Sequence, residues 1–260
     1  FVPVVNGSMP KPGFKLVPDL NHWEDYVTFP DVDSWDWAGS AERNRDFIHQ
    51  GLATSLAIHN GQFERLVTIT DMQDALMALI DEDQKPAVHR FFDRLCDVYE
   101  EIICNAKKWF DIDLIWFHDD WGSQISSLFS LDTCREMIVP YLKRVADITH
   151  KNGLYLELHS CGKNEKLVPA MIEAGVDAWR GQSLNDKQML FEQYGDQIIL
   201  GIEPTRLPAD TDDMEQLEKD CREFVERYAP SGRVYCSMFK VPPKARDMIY
   251  QMSRELLARQ

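Results

Sequence analysis

From residue 52 onward, short apolar runs alternate with longer stretches in which apolar residues recur every three or four positions. The runs at 52–58 (LATSLAI), 113–117 (DLIWF), 154–158 (LYLEL), 177–180, 197–202 (QIILGI) and 233–238 (RVYCSM) predict strands. The spacing between them predicts helices over 40–50, 72–80, 85–108, 131–152, 164–174, 185–194, 212–228 and 243–259. Residues 1–39 follow neither rhythm. They are rich in Pro, Gly, Asp and Trp and read as an irregular excursion with one short strand over 2–5.

Short strands separated by helices build repeated βα units and a parallel sheet. Five strands from residue 113 on, with 52–58 and 2–5, make seven of the eight that a (β/α)8 barrel needs. The predicted fold class is therefore α/β, a TIM barrel, its eighth strand expected from a segment upstream of Phe1. A doubly wound open sheet is the alternative, but no G-x-G-x-x-G or Walker loop follows any strand. No linker, repeat or low-complexity run divides the chain, so residues 1–260 are expected to form a single domain.

Charge narrows the partners. The chain has 28 Lys+Arg against 43 Asp+Glu, a net −15, which disfavours a nucleic acid or an anionic membrane as main partner. Small molecules and other proteins remain. No run approaches the roughly 18 apolar residues of a membrane helix. Six cysteines without a signal peptide fit a reducing cytoplasm. Cys96, Cys104, Cys134 and Cys221 fall in helical segments and read as buried apolar residues.

The residues able to do chemistry gather at the carboxyl ends of the predicted strands, the edge where α/β folds bind ligands. DLIWF runs into His118-Asp119-Asp120-Trp121-Gly122-Ser123-Gln124, and LYLEL into His159-Ser160-Cys161-Gly162. The next strands end in Arg180-Gly181-Gln182, in Glu203-Pro204-Thr205-Arg206 and at Cys236. Strand alternation puts Glu157, His159 and Cys161 on one face. An imidazole and a thiolate so placed suit Zn²⁺, and Cys236 adds a second sulfur if its strand lies nearby. The plainer reading is a core histidine beside a buried thiol. Asp119-Asp120 is either a capping cluster or a substrate-orienting carboxylate. Alternation puts Phe117 and Asp119 on one face and His118 and Asp120 on the other, so one aspartate faces inward. Glu203 and Arg206 are further candidates for the same mouth, though a surface salt bridge accounts equally well for Arg206. His59 and Gln62 are placed at its rim. Trp23, Trp35 and Trp37 read as packing.

These motifs carry a resemblance. LHSCG after a strand, a second cysteine at 236, the HDDWGSQ segment, the P-D-L-x-x-W…F-P-D-x-D-x-x-D-W lead-in (18–37) and E-A-G-V-D (173–177) resemble the zinc-dependent corrinoid methyltransferase branch of the uroporphyrinogen decarboxylase superfamily. The branch includes methylcobamide:coenzyme M methyltransferases and the methyltransferase components of corrinoid-dependent demethylases. The resemblance implies a TIM barrel and zinc on His159, Cys161 and Cys236. It also implies methyl transfer between a small methylated substrate (methoxy, amine or thiol) and the cobalt of a corrinoid protein, in an anaerobic cytoplasm. Catalytic roles then fall to Asp119, Asp120 and Glu203. Gln182 stands where such enzymes often carry a carboxylate, leaving Glu157, Glu203, Asp119, water or substrate as the fourth ligand. Competing readings are a decarboxylase of a tetrapyrrole acid, with Arg180 and Arg206 as its cations, and a noncatalytic corrinoid-binding module.

Overall fold

Carboxylates just ahead of the helices set where many of them begin. In the computed structural model, which describes residues 2–4, 7–9, 11, 13–48, 51–238 and 241–258, Asp36 accepts the Gly39 N–H at 2.9 Å and starts helix α1 (Trp37–Asn44) three residues before the predicted 40–50. Residues 5, 50 and 259, at the ends of three predicted elements, lie outside the described residues. Two units divide the chain, Phe1–Asp177 and Ala178–Gln260.

The first unit opens with β1 (Val2–Val4) and β2 (Gly7–Met9), paired antiparallel with Val2 opposite Met9. This corrects the expectation of a barrel strand at 2–5: three residues followed at once by a return strand form a hairpin, because a parallel partner needs a long crossover. Two 3-10 turns follow, Leu20–Asp25 and Val32–Ser34. Trp23 (6 % exposed) meets Phe29 and Phe91 edge-on or nearly so, at 5.9 and 5.4 Å, so the excursion packs as expected. Trp37 is also buried, whereas Trp35 is 45 % exposed.

After β3 (Ser55–Ile58) come α2 (Gln62–Ile69), α3 (Met72–Ala78) and the long α4 (Lys85–Phe110). Then β4 (Leu114–His118) leads to α5 (Leu131–Met137) and α6 (Val139–Lys151). The predicted 131–152 helix is thus two helices, since Pro140 lacks the N–H that would bond back across the break. β5 (Tyr155–Ser160), a 3-10 turn (Glu165–Leu167) and α7 (Val168–Glu173) complete the unit. β3, β4 and β5 are neighbours and parallel. Ile115 and Phe117 of β4 and Leu156 and Leu158 of β5 are fully buried. Phe117 meets Tyr99 of α4 edge-on at 5.3 Å. Cys96 and Cys134 are buried as expected, but Cys104 is exposed on α4, where Asn152 reaches its sulfur at 3.7 Å.

The second unit repeats the βα pattern with β6 (Ala178–Gly181), α8 (Lys187–Tyr194), β7 (Ile199–Ile202), α9 (Met214–Tyr228), β8 (Val234–Cys236) and α10 (Pro243–Leu257). β7 pairs parallel with both β6 and β8. The expected α/β class is what the structure has, with six parallel strands among the described residues where a closed barrel has eight. No helix among the described residues is long and apolar enough to cross a membrane.

Lys187 ties two strand ends of the second unit together. It is 8 % exposed, donates from Nζ to the carbonyls of Gly181 (2.8 Å) and Gly201 (3.0 Å), and lies 4.9 Å from the centre of the Trp179 ring. Burial pulls its pKa down to about 8, against the opposing pull of Glu203. Between pH 8 and the ordinary lysine value of 10.5 the unfolded chain therefore holds more protons than the folded one, and this group's contribution to stability rises with pH across that window. Urea unfolding at pH 8 and pH 10 is expected to show a smaller gain, or larger loss, for Lys187→Met than for the wild type. An identical pH response would mean that Lys187 is not shifted.

Candidate metal centre

The register of β4 against β5 sets the site. Trp116 pairs with Glu157 and His118 with His159, so the two histidines stand side by side at the strand ends. Their rings stack with centroids 5.0 Å apart and planes at 17°. Strand alternation then carries Asp120 onto the face of His118 and Cys161 onto the face of His159. His118 Nε2 lies 3.4 Å from an Asp120 carboxylate oxygen, and His159 Nε2 lies 3.3 Å from Cys161 Sγ. One donor atom from each of His118, Asp120, His159 and Cys161 falls within 4.8 Å of all the others, and all four residues are partly buried.

Two imidazole nitrogens, one sulfur and one carboxylate oxygen are the donors that zinc takes. Ligands at about 2.0–2.3 Å around one tetrahedral ion stand roughly 3.3–3.8 Å apart. Two of the pairs, one from each strand end, already have this separation, and the separations between those pairs lie within 4.8 Å. The residues present fit a zinc ion.

The loops beneath are closely tied. Cys161 N–H donates to Asp120 Oδ1 at 2.6 Å. Ser160 Oγ accepts from Trp121 N–H and from the Asn164 amide, each at 3.0 Å, and the same amide donates to the Cys161 carbonyl at 2.7 Å. Gly162 sits at φ +90°, and a Cβ there would overlap the backbone of Gly122, so the two loops cross only because both residues are glycine.

His118 also reaches behind the cluster, its Nδ1 lying 2.9 Å from Glu64 Oε2 on α2. Burial works against protonating this imidazole, but Cys161, Glu64 and Asp120 together push its pKa up to about 10. Burial raises the Cys161 thiol, an effect that His118 opposes.

Asp119 faces the opposite way from Asp120. It is fully buried and accepts from Phe63 N–H (3.1 Å), Glu64 N–H (2.9 Å) and the Trp121 indole (2.9 Å). It caps α2 from a distance, because Gly61 at the N-cap has no side chain of its own. A Cβ at Gly61 would sit 2.6 Å from Asp119 Cβ, so glycine is what admits the carboxylate. Burial and the nearby Glu64 raise the Asp119 pKa, while the three donors hold it back.

Glu203 and Cys236 belong to the second unit, whereas the four-donor group lies wholly in the first. Glu203 lines, with Lys187, Thr205 and Arg206, a cavity of about 850 Å³. Cys236 ends β8, partly buried, with Sγ 3.4 Å from Met238 Sδ, and burial pushes its thiol up to about 12, with Cys221 and Glu203 adding to the effect. Gln182 is partly buried beyond the end of β6, and Arg180 donates to the Tyr235 hydroxyl at 3.1 Å. His59 is exposed, 5.9 Å from His118 ring to ring, and Gln62 is fully buried. Two residues escaped the sequence reading as site members. His118 was visible, since alternation sets it beside Asp120. Glu64 carried no signal, because only the folded α2 brings it to His118.

The family model described as Uroporphyrinogen decarboxylase (URO-D) matches residues 63–245. The chain belongs to this family. No curated protein matches it in sequence. Among solved structures, a methyltransferase from Methanosarcina mazei superposes with a TM-score of 0.60 at 12% identity, over 85% of this chain and 64% of that one. The chain therefore spans less than two thirds of that methyltransferase, and the likeness is one of fold. A sugar phosphate isomerase/epimerase from Parabacteroides distasonis ATCC 8503 aligns at 11% identity over 80% of this chain and 97% of its own, with a TM-score of 0.37.

The capping role of Asp119 has a measurable consequence. Asp119→Asn turns an amide towards donors that need an acceptor, and is expected to lower stability by about 1–3 kcal/mol in urea unfolding. Unchanged stability would show that the carboxylate is dispensable to α2.

Proposed function

We propose that the chain is a zinc-dependent methyltransferase that moves a methyl group between a small methylated substrate and the cobalt of a corrinoid held by a separate protein. The substrate is a methoxy compound, an amine or a thiol. The observation that carries this reading is the group of two nitrogens, one sulfur and one oxygen at the ends of two adjacent strands. Zinc bound there supplies Lewis acidity, which lowers the pKa of a coordinated thiol or polarises an ether oxygen.

The chain's own residues hold and orient. His159 on β5 and Cys161 just beyond its end would hold the ion, and Asp120, whose Oδ1 takes the Cys161 N–H, would offset its charge. Cys236 is the further sulfur donor that the sequence pattern adds, and Glu203 is a candidate for orienting substrate. The methyltransferase fold of the M. mazei protein and the family membership support this reading. A decarboxylase of a tetrapyrrole acid needs cations facing its carboxylates. The cluster offers a thiol, a carboxylate and two imidazoles instead, and Arg180 is engaged with Tyr235. A noncatalytic corrinoid-binding module has no use for the donor set.

The corrinoid protein must leave to meet a second methyltransferase, so its docking is transient and, against this acidic chain, salt-sensitive. Cob(I)-state cobalt is a strong reductant, which places the reaction in an anaerobic cytoplasm.

Metal analysis is expected to find about one zinc per chain. Cys161→Ser, His159→Ala and Cys236→Ser should each lose metal and methyl transfer to cob(I)alamin across a panel of methyl donors, with the fold retained. Full occupancy and full activity in all three variants would sink the assignment. Asp120→Asn separates two roles. Loss of zinc makes Asp120 a ligand, whereas retained zinc with lost turnover makes it an orienting carboxylate.

A further inference from the structure

The proposed zinc site has a supporting layer on α2 that reaches the metal through His118. We infer that His118 binds the metal through Nε2, and that Glu64 is the positioning residue that holds its ring in the required tautomer; this rests on the zinc reading above. The two ring nitrogens serve opposite sides. Nδ1 lies 2.9 Å from Glu64 Oε2, and Nε2 lies 3.4 Å from the Asp120 carboxylate inside the donor group. A carboxylate oxygen accepts, so Nδ1 is the nitrogen that carries the hydrogen. With a metal bound, Nε2 gives up its proton and directs its lone pair into the group it forms with Asp120, His159 and Cys161, while Nδ1 keeps its hydrogen for Glu64. Both partners are well sheltered, with side chains 18% exposed for His118 and 21% for Glu64.

Glu64 does not reach His118 by chance of rotamer. Its own N–H is clamped by Asp119 at 2.9 Å, and Gly61 N–H donates to the His118 carbonyl at 2.7 Å. Asp119 and His118 are consecutive on the β4 side, so α2 is fixed to the same strand end whose imidazole its glutamate orients. The 17° stacking of His118 on His159 leaves the ring little room to turn. A surface ion pair would need none of this. A carboxylate that accepts from the far nitrogen of a ligating histidine fixes its orientation and raises its basicity, typically worth 10–100-fold in metal affinity.

The test measures zinc affinity by competition with a chromophoric chelator, and the visible spectrum of the Co²⁺-loaded protein. It uses wild type, Glu64→Gln, Glu64→Ala, His118→Ala and the Glu64→Ala/His118→Ala double variant. Glu64→Ala is expected to bind zinc about 10–100-fold more weakly. Glu64→Gln, which keeps an acceptor oxygen, should fall between it and wild type with a shifted Co²⁺ band. The double variant should bind no worse than His118→Ala, because Glu64 acts through that ring. Should Glu64→Ala not fold, the Gln variant decides: weaker zinc with a shifted band supports the inference, and wild-type behaviour overturns it. Undiminished zinc affinity in folded Glu64→Ala or in His118→Ala, or losses that add in the double variant, also overturn it while leaving the zinc site standing. A wild-type protein that takes up no zinc defeats both readings together.

Discussion

The pairing of β4 with β5 is the constraint on which the site depends. One residue of slip would set His118 opposite a neighbour of His159 and turn a whole strand's side chains to the other face. The register is held by the apolar layer that precedes the histidines on both strands, in which Ile115, Phe117, Leu156 and Leu158 are fully buried. The same alternation that hides these residues exposes the donors between and beyond them. The apolar core and the candidate donor set are therefore two faces of one strand pair.

The split between Asp119 and Asp120 shows how this works at the scale of one peptide bond. Neighbours in sequence, they point to opposite sides. One is fully buried under α2, and the other joins the donors. The buried carboxylate is tolerable because three N–H groups meet it, two of them from a helix start that positions negative charge favourably. Identical side chains thus take a structural and a chemical position by parity alone.

Much of this was legible from residue patterns. The strands from 113 onward, the long α4 and the pairing of His159 with Cys161 follow from periodicity, and the inward–outward parity of the two aspartates did too. What the pattern could not show has physical causes. Helix α2 was missed because its capping group comes from Asp119, far along the chain, and Gly61 offers no local start signal. The 131–152 helix was read as continuous because its apolar spacing runs through Ile138, although Pro140 breaks it. The N-terminal hairpin passed for a single strand because Gly7–Met9 is too short and small to read as its partner. Glu64 belongs to the site only through tertiary contact, which no local spacing encodes.

The crossing of Gly162 over Gly122 carries a consequence for folding order. The donors sit at the adjacent carboxyl ends of the two strands of one β–α–α–β segment, and the glycines let the loops that follow those strands touch. An ion captured there would act as a clasp on that segment, shortening the loop that the unfolded chain must otherwise close by diffusion. Four donors of such a clasp come from this segment alone, so metal capture can begin before the sheet is complete.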